Sequence, residues 1–151
     1  MTTSEIQTTM LQPRPTAVVR GHVGLADLPG FLGTAFGDTI QALTAQRHAP
    51  AGPPFARYRM SESGFDVEAG FPSTGPITAT GSVEPGELPG GPAAEITYRG
   101  DYSGVAEAYE ATARWIAEHG YTAAGDAWED YLDEPGVAEP RTVVHMPYRT
   151  T

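Results

Sequence analysis

Cysteine is absent from this sequence of 151 residues, so neither a disulfide framework nor thiolate chemistry is available. Histidine is scarce, and its four copies form no pair at a metal-ligand spacing such as HxxxH, so we expect no metal and no other cofactor. Basic residues are few as well, since 9 stand against 19 acidic residues and the net charge is −10. Because this charge repels phosphate backbones, we expect no direct binding of nucleic acid.

Long apolar runs are also missing, and no stretch approaches the length of a membrane span. The amino terminus lacks the basic start and apolar run of a signal peptide, so we expect a cytoplasmic protein without membrane association. What is present is a hydrophobic fraction of 40%, which suits one folded domain over residues 1–151. Proline and glycine are abundant but lie between periodic segments, where they punctuate a fold.

The order of predicted elements repeats along the chain. In the first half, β-branched runs and helically spaced apolar residues predict a strand, a helix and a strand pair, at residues 15–23, 28–46, 55–60 and 65–71. In the second half the same signals predict a strand, a helix and two strands, at residues 93–98, 103–119, 128–132 and 142–148. Between the halves, residues 79–84 predict a bridging strand and residues 85–92 a turn region.

This repetition predicts an α+β fold of duplicated β-α-β-β units over about residues 15–72 and 93–148. Each unit is expected to form a small antiparallel sheet with a helix on one face, giving two antiparallel sheets and two main helices. The units would associate around a pseudo-twofold axis. A central groove at that axis is where we expect a ligand, because pockets favour interfaces between units.

Three glycines lie inside the first predicted helix, at Gly30, Gly33 and Gly37. Each weakens a helix by about 1 kcal/mol relative to alanine. They either allow the helix to approach a sheet closely or leave a mobile pocket wall, and we favour close packing.

Residues 127–132 place a carboxylate between aromatic side chains. Strand alternation puts Glu129 and Tyr131 on one face, and Trp128 and Leu132 on the other. A carboxylate removed from water needs a cationic ligand, hydrogen-bond donors or a proton of its own, so a buried Glu129 indicates a binding site. The alternative is a solvated Glu129 on an edge strand.

Other residues are weaker candidates. Tyr58 occupies the place in the first unit that matches Glu129 in the second, so both are predicted to face the groove. Glu68 is a second acidic candidate, and Phe36 lies on the apolar face of the first helix. His145 is interpreted as a strand residue near the groove rim rather than a catalytic base.

The remaining aromatic and acidic residues near Glu129 receive structural interpretations. Trp115 and Trp128 are interpreted as core residues. The acidic cluster around Glu129 does not match a calcium-binding loop, and its outer members are interpreted as solvated. Those outer members are Asp126, Asp130, Asp133 and Glu134.

Seven short segments occur in an order that resembles a known family. They are Phe55-Ala56-Arg57-Tyr58, residues 65–72, residues 88–91, residues 98–102, Ala108-Tyr109, Trp115-Ile116 and residues 128–132. In this order the chain, from about residue 15 to residue 148, resembles the GyrI-like small-molecule-binding domains. These are the effector-binding domains of AraC-type and multidrug-sensing transcription regulators. No helix-turn-helix segment accompanies the domain in this sequence, so we expect a standalone form.

The resemblance implies a central glutamate, surrounded by aromatic residues, that receives cationic or amphipathic aromatic ligands. Glu129 matches that glutamate, Tyr58 matches a tyrosine of the first-half strand, and Tyr98 and Tyr102 lie where aromatic pocket walls are expected. A branch of the family is similar to hydrolases that open the cyclopropane of DNA-alkylating natural products with the same glutamate and water.

Three hypotheses follow. The first is a small-molecule binder, the second a hydrolase with Glu129 as general base and Tyr58 or Tyr98 as proton donor, and the third a protein-interaction module. The candidate ligand-binding residues are Glu129, Tyr58, Tyr98, Tyr102, Tyr131, Phe36, Glu68 and His145.

Overall fold

The computed structural model of the chain describes residues 2–101, 104–133 and 136–150. The strands are β1 (Thr2–Thr3), β2 (Gln7–Leu11), β3 (Arg14–Val23), β4 (Phe55–Ser61), β5 (Gly64–Pro72), β6 (Glu84–Leu88), β7 (Gly91–Arg99), β8 (Thr122–Ala123), β9 (Trp128–Tyr131) and β10 (Arg141–Arg149). The α-helices in the described ranges are α1 (Leu28–Ala45), which follows a short 3-10 turn at Leu25–Asp27, and α2 (Val105–Glu118). The strands pair antiparallel, which confirms the predicted α+β class.

The chain divides into two compact units. The N-terminal unit comprises residues 13–89, and the C-terminal unit comprises residues 90–151 together with residues 1–12. The first unit contains β3, α1, β4, β5 and β6, and the second contains β1, β2, β7, α2, β8, β9 and β10.

In the N-terminal unit the strands lie in the order β4, β5, β3, β6, and α1 packs on β3 and β5. The core of this unit contains Ala17, Leu43, Phe55 and Val67, all nearly inaccessible to solvent. The hairpin between β4 and β5 requires glycine at Gly64. Its φ is 138°, and a Cβ there would lie 2.5 Å from the carbonyl oxygen of Val23.

In the C-terminal unit β7 pairs with β2 and β10, and β10 also pairs with β9. The helix α2 covers one face of this sheet, where its Ala108 packs with Ile96, Tyr98 and Val144. The helix ends before Gly120, whose φ of 74° is the left-handed conformation that glycine favours after a helix. The core that supports Glu129 therefore lies between α2 and the sheet.

Two strands differ from the sequence-based expectation. The strand β2 was not predicted, because its polar sequence is stabilised by long-range pairing with β7. A bridging strand was predicted at residues 79–84, whereas β6 is observed at Glu84–Leu88. Most of its residues were assigned to a turn region because they include Pro85 and Gly86. Within its unit β6 pairs only with β3, and a proline is tolerated in a strand that is bonded on one side.

The interpretation of the three helix glycines as close-packing residues was wrong. Gly30, Gly33 and Gly37 are exposed, and a Cβ at any of them would meet no atom within 4 Å. They weaken α1 without bringing it closer to a neighbouring element.

Candidate functional site

Glu129 lies in β9 with its side chain buried, at 6% exposure. In the strand register it is opposite Val144, which belongs to the core that α2 covers. Residues opposite each other in a sheet share a face, so Glu129 faces α2 rather than solvent. The alternative of a solvated edge residue is therefore excluded.

Two tyrosines hold the carboxylate of Glu129. The hydroxyl of Tyr109, on α2, donates to Oε2 at 2.5 Å, and the hydroxyl of Tyr131, on β9, donates to Oε1 at 3.1 Å. Tyr131 is two residues from Glu129 and lies on the same face, which confirms the alternation predicted from sequence. Each carboxylate oxygen thus has one phenol donor.

The charge on Glu129 is not balanced by a cation. None of the ion pairs among the described residues involves Glu129. Burial raises the pKa of Glu129 above its ordinary value, and the hydrogen bonds from Tyr109 and Tyr131 lower it only in part. The site therefore holds an acid that a cation at the carboxylate would shift toward its ionised form.

Tyr98 is fully buried rather than exposed on a pocket wall. Its hydroxyl donates to the backbone oxygen of Asp101 at 2.6 Å, and its ring packs against Ala108 and Val144. Burial also raises the pKa of the Tyr98 phenol. These contacts fix the end of β7. The other predicted wall residue, Tyr102, lies outside the described residues.

His145 lies on the sheet face opposite Glu129, so the structure does not bring the two residues together. His145 pairs with Trp128 in the register, whereas its neighbour Val144 pairs with Glu129, and successive strand residues face opposite ways. The His145 ring stacks on Trp128 at 5.2 Å between centroids, and its Nε2 lies 2.8 Å from Oδ2 of Asp130. Trp128 is buried, as predicted for a core residue.

The remaining candidates belong to the N-terminal unit, and each is half-buried. The ring of Tyr58 lies edge-on to Phe65 at 6.1 Å between centroids, and that of Phe36 lies edge-on to Phe71 at 5.9 Å. The carboxylate of Glu68 is 3.0 Å from Nε of Arg20, so its charge is balanced by a cation. A role of Tyr58, Phe36 and Glu68 in ligand binding stays a prediction.

Sequence reasoning missed Tyr109 as a partner of Glu129. Tyr109 lies on the face of α2 that covers the sheet. A buried tyrosine hydroxyl needs a hydrogen-bond partner. The candidate glutamate Glu129 could therefore have been considered as the acceptor for the hydroxyl of Tyr109.

Two acidic residues near Glu129, Asp130 and Asp133, are not simply solvated, contrary to expectation, whereas Glu134 lies outside the described residues. Asp130 bonds to His145 as described above, and Asp133 forms a two-point contact with Arg141. This contact with the Arg141 guanidinium lowers the pKa of Asp133 to about 2. Among the described residues, no group of three or more acidic or histidine side chains is arranged to hold a metal ion.

A family profile decides the classification of the chain. The profile described as GyrI-like small molecule binding domain matches residues 4–149. The chain belongs to the GyrI-like family. No curated protein sequence matches it.

Solved structures share the fold of this GyrI-like domain. EcmrR in a complex with DNA has 17% identity and a TM-score of 0.84, with 97% of this chain and 58% of that chain covered. The C-terminal domain of EcmrR alone has 17% identity and a TM-score of 0.79, with 97% and 98% covered. This chain thus spans little more than half of the EcmrR chain and nearly all of its C-terminal domain.

Two further GyrI-like folds come from proteins with different descriptions. A hydrolase from Listeria innocua has 10% identity and a TM-score of 0.68, with 96% of this chain and 92% of that chain covered. SAV2435, in a structure with bound tetraphenylphosphonium, has 12% identity and a TM-score of 0.70, with 97% and 94% covered. At these identities the likeness shows the fold.

In the described part of this chain, neither α-helix is long and apolar enough to cross a membrane.

Proposed function

We propose that this GyrI-like domain binds an amphipathic organic cation, with Glu129 as its counter-ion. The observation that carries the proposal is a carboxylate at 6% exposure that receives two phenol hydrogen bonds and no ion pair among the described residues. A cation placed against it gains an attraction that water does not screen. Without a bound cation, the hydrogen bonds from Tyr109 and Tyr131 do not give the Glu129 carboxylate a comparable attraction.

The rings around Glu129 favour a cation that also carries apolar groups. Tyr109 and Tyr131 bring aromatic surface beside the carboxylate, and a cation over an aromatic face gains about 0.5–2 kcal/mol. A compact ion such as a metal or ammonium loses strong hydration on entering a dry site. A bulky cation with spread charge loses less, so we expect it to be preferred.

The solved structure of SAV2435 with tetraphenylphosphonium supports this ligand class, since that compound is a delocalised cation with four aromatic rings. A strand, a helix and two further strands occur in this order in both units, with β8 intervening between α2 and β9 in the second, and this supports the predicted duplication. EcmrR was solved with DNA, whereas for this chain the absence of direct DNA binding stays a prediction.

Titration calorimetry with tetraphenylphosphonium and with neutral triphenylphosphine oxide tests the proposal. For Glu129→Gln we expect affinity for the cation to fall by about 1.5–3 kcal/mol, or roughly 10- to 150-fold, because a charge-assisted contact is lost. Affinity for the neutral compound should change little. The matched control is Glu110→Gln, which removes the same charge from an exposed position next to Tyr109 on α2. Equal cation affinity in the wild type and Glu129→Gln would overturn the proposal.

A hydrolase is the second candidate function, because the raised pKa of Glu129 makes its carboxylate a stronger proton acceptor. Glu129 would take a proton from water while the water oxygen bonds to a cyclopropane carbon. The strained carbon–carbon bond would break, and its electrons would pass to a conjugated carbonyl oxygen. Tyr109, whose hydroxyl bonds to the carboxylate, would protonate that oxygen and then recover a proton from the protonated Glu129, whereas the hydroxyl of Tyr98 is bonded to Asp101.

Turnover separates the two candidates. If Glu129 activates water, Glu129→Gln should lower cyclopropane opening by about a hundredfold or more while ligand affinity stays nearly constant. If Glu129 is only a counter-ion, affinity falls and the wild type shows no opening above the rate in buffer. The third hypothesis, docking on a protein partner, stays a prediction.

A further inference from the structure

A cavity with a volume of about 420 Å³ lies within the C-terminal unit. It is lined by Thr3, Ser4, Thr97, Arg99, Leu132 and Arg141. Sites for small molecules commonly measure about 300–1,000 Å³, so the space suits a small organic ligand rather than a single ion.

This cavity is separate from the Glu129 site because it opens on the other face of the sheet. Tyr98 is fully buried beneath α2, and Thr97 and Arg99 flank it on the same strand, so they point away from the helix. The same alternation applies to Arg141, since its neighbour Thr142 is fully buried and lies opposite Tyr98 in the register.

The electrostatics of the cavity are unusual for a sheet. Arg99 and Arg141 are directly opposite each other on β7 and β10. Like charges in directly opposed positions destabilise strand pairing, and a neighbouring anion offsets that repulsion. Among the described residues, Asp133 provides this negative charge, since it bonds to Arg141 and also interacts with the charge of Arg99.

Asp133 holds Arg141 in a fixed orientation. Nε of Arg141 donates to Oδ2 at 2.9 Å, Nη2 donates to Oδ1 at 3.0 Å, and the backbone N–H of Arg141 also donates to Oδ2 at 2.9 Å. The fork leaves Nη1 of Arg141 outside this contact. A fixed guanidinium loses less side-chain entropy on binding a ligand than a mobile one does.

Arg99 has no direct side-chain partner for its charge among the described residues, although it acts on Asp133 at longer range and helps to lower the pKa of that carboxyl. Its side chain is exposed and forms no ion pair or hydrogen bond with any described residue. Its guanidinium therefore keeps a full set of donors in the geometry that matches a carboxylate or phosphate. This cation stands in a chain whose net charge is −10.

We propose that this cavity binds a small organic oxyanion, with Arg99 as the main contact and Arg141, positioned by Asp133, as the second. Leu132, at 39% exposure, supplies an apolar surface for the body of the ligand. Among the described residues, two arginines of the cavity and Asp133 leave a local excess of one positive charge. A carboxylate monoanion therefore fits better than a phosphate dianion.

Titrations with benzoate and phenyl phosphate at low ionic strength, followed by amide chemical shifts, test this site. We expect saturable benzoate binding that perturbs the amides of Thr97, Arg99 and Leu132 and weakens as salt is added. Arg99→Gln should reduce benzoate affinity about tenfold or more, since a charge-assisted bidentate contact is lost. The matched control Arg114→Gln removes an exposed arginine of α2 and should leave binding unchanged.

Three outcomes would overturn the assignment. These are the absence of saturable binding of both anions, an unchanged affinity in Arg99→Gln, and tighter binding of phenyl phosphate than of benzoate, which would contradict the choice of a carboxylate. The test is independent of the cation site, because Glu129→Gln alters the opposite face and should leave benzoate binding intact.

Discussion

Tyr109 on α2 donates a hydrogen bond to the carboxylate of Glu129 on β9, at 2.5 Å. This contact joins the helix to a strand of only four residues, and it places a phenol beside a buried acid. Because of this contact, the free energy of unfolding of the C-terminal unit depends on whether Glu129 is protonated.

Removing the Tyr109 hydroxyl tests that coupling. Tyr109→Phe should destabilise the fold by about 1–2 kcal/mol at neutral pH, because Oε2 of Glu129 loses its donor while remaining buried. The loss should shrink at acidic pH, where a protonated carboxyl needs fewer donors. Urea unfolding at both pH values measures the effect. The control Tyr121→Phe should show a smaller loss without this pH dependence.

The stability of the wild type should fall as pH rises through the titration of Glu129. Burial raises the folded-state pKa above the unfolded value, so the folded state binds more protons in that window. Stability is then highest below the unfolded pKa and decreases until pH passes the folded pKa. In Glu129→Gln this decrease should be absent. Parallel curves for the two proteins across that window would contradict the raised pKa.

Affinity for tetraphenylphosphonium should rise with pH over the same window. A cation binds the ionised carboxylate, and at pH values below the folded pKa of Glu129 binding must also displace a proton. Calorimetry in two buffers of different ionisation enthalpy would detect the released proton. Affinity that does not change with pH would show that the ligand does not contact this carboxylate.

The exposed glycines of α1 offer a way to stabilise the chain. Gly33→Ala and Gly37→Ala should each raise the free energy of unfolding by about 0.5–1 kcal/mol, since alanine favours the helix and a Cβ meets no atom within 4 Å. Gly64→Ala is the contrasting control. It should destabilise the fold because of its positive φ and the nearby carbonyl of Val23. Thermal unfolding of the three variants measures both effects.

Local patterns predicted the elements well where periodicity was strong. The helix predicted over residues 28–46 is observed at Leu28–Ala45, and the strand predicted over residues 142–148 is observed at Arg141–Arg149. The shared face of Glu129 and Tyr131 also followed from alternation alone. These features depend on neighbours close in sequence.

Features that depend on distant pairing were missed. The strand β2 forms because Gln7–Leu11 pairs with β7, whose residues lie 80 to 88 positions later in the chain. The partnership of Tyr109 with Glu129 depends on how α2 lies on the sheet. The sheet face on which His145 lies was also missed, because it depends on the exact register of β10 against β9. No local signal carries this information.

His22 on β3 contacts two residues of the neighbouring hairpin. Its Nδ1 lies 2.7 Å from Oδ1 of Asp66 on β5, and its Nε2 lies 3.0 Å from Oγ of Ser63. The hydrogen bond to Asp66 raises the pKa of His22 above its usual value, with a further contribution from the backbone of Ser63. Because the pKa of His22 is higher in the folded than in the unfolded state, protonated His22 stabilises the fold. This stabilisation is fully present below the unfolded pKa and is lost as pH rises through the folded pKa.

Titration of the His22 ring by NMR measures this pKa directly. Asp66→Asn should lower it, because the largest cause of the shift is removed. Glu62→Gln removes the same charge from the same hairpin without a hydrogen bond to the ring, so it should lower the pKa much less. Equal shifts in the two variants would mean that the general charge of the hairpin, rather than the contact between His22 and Asp66, sets the titration.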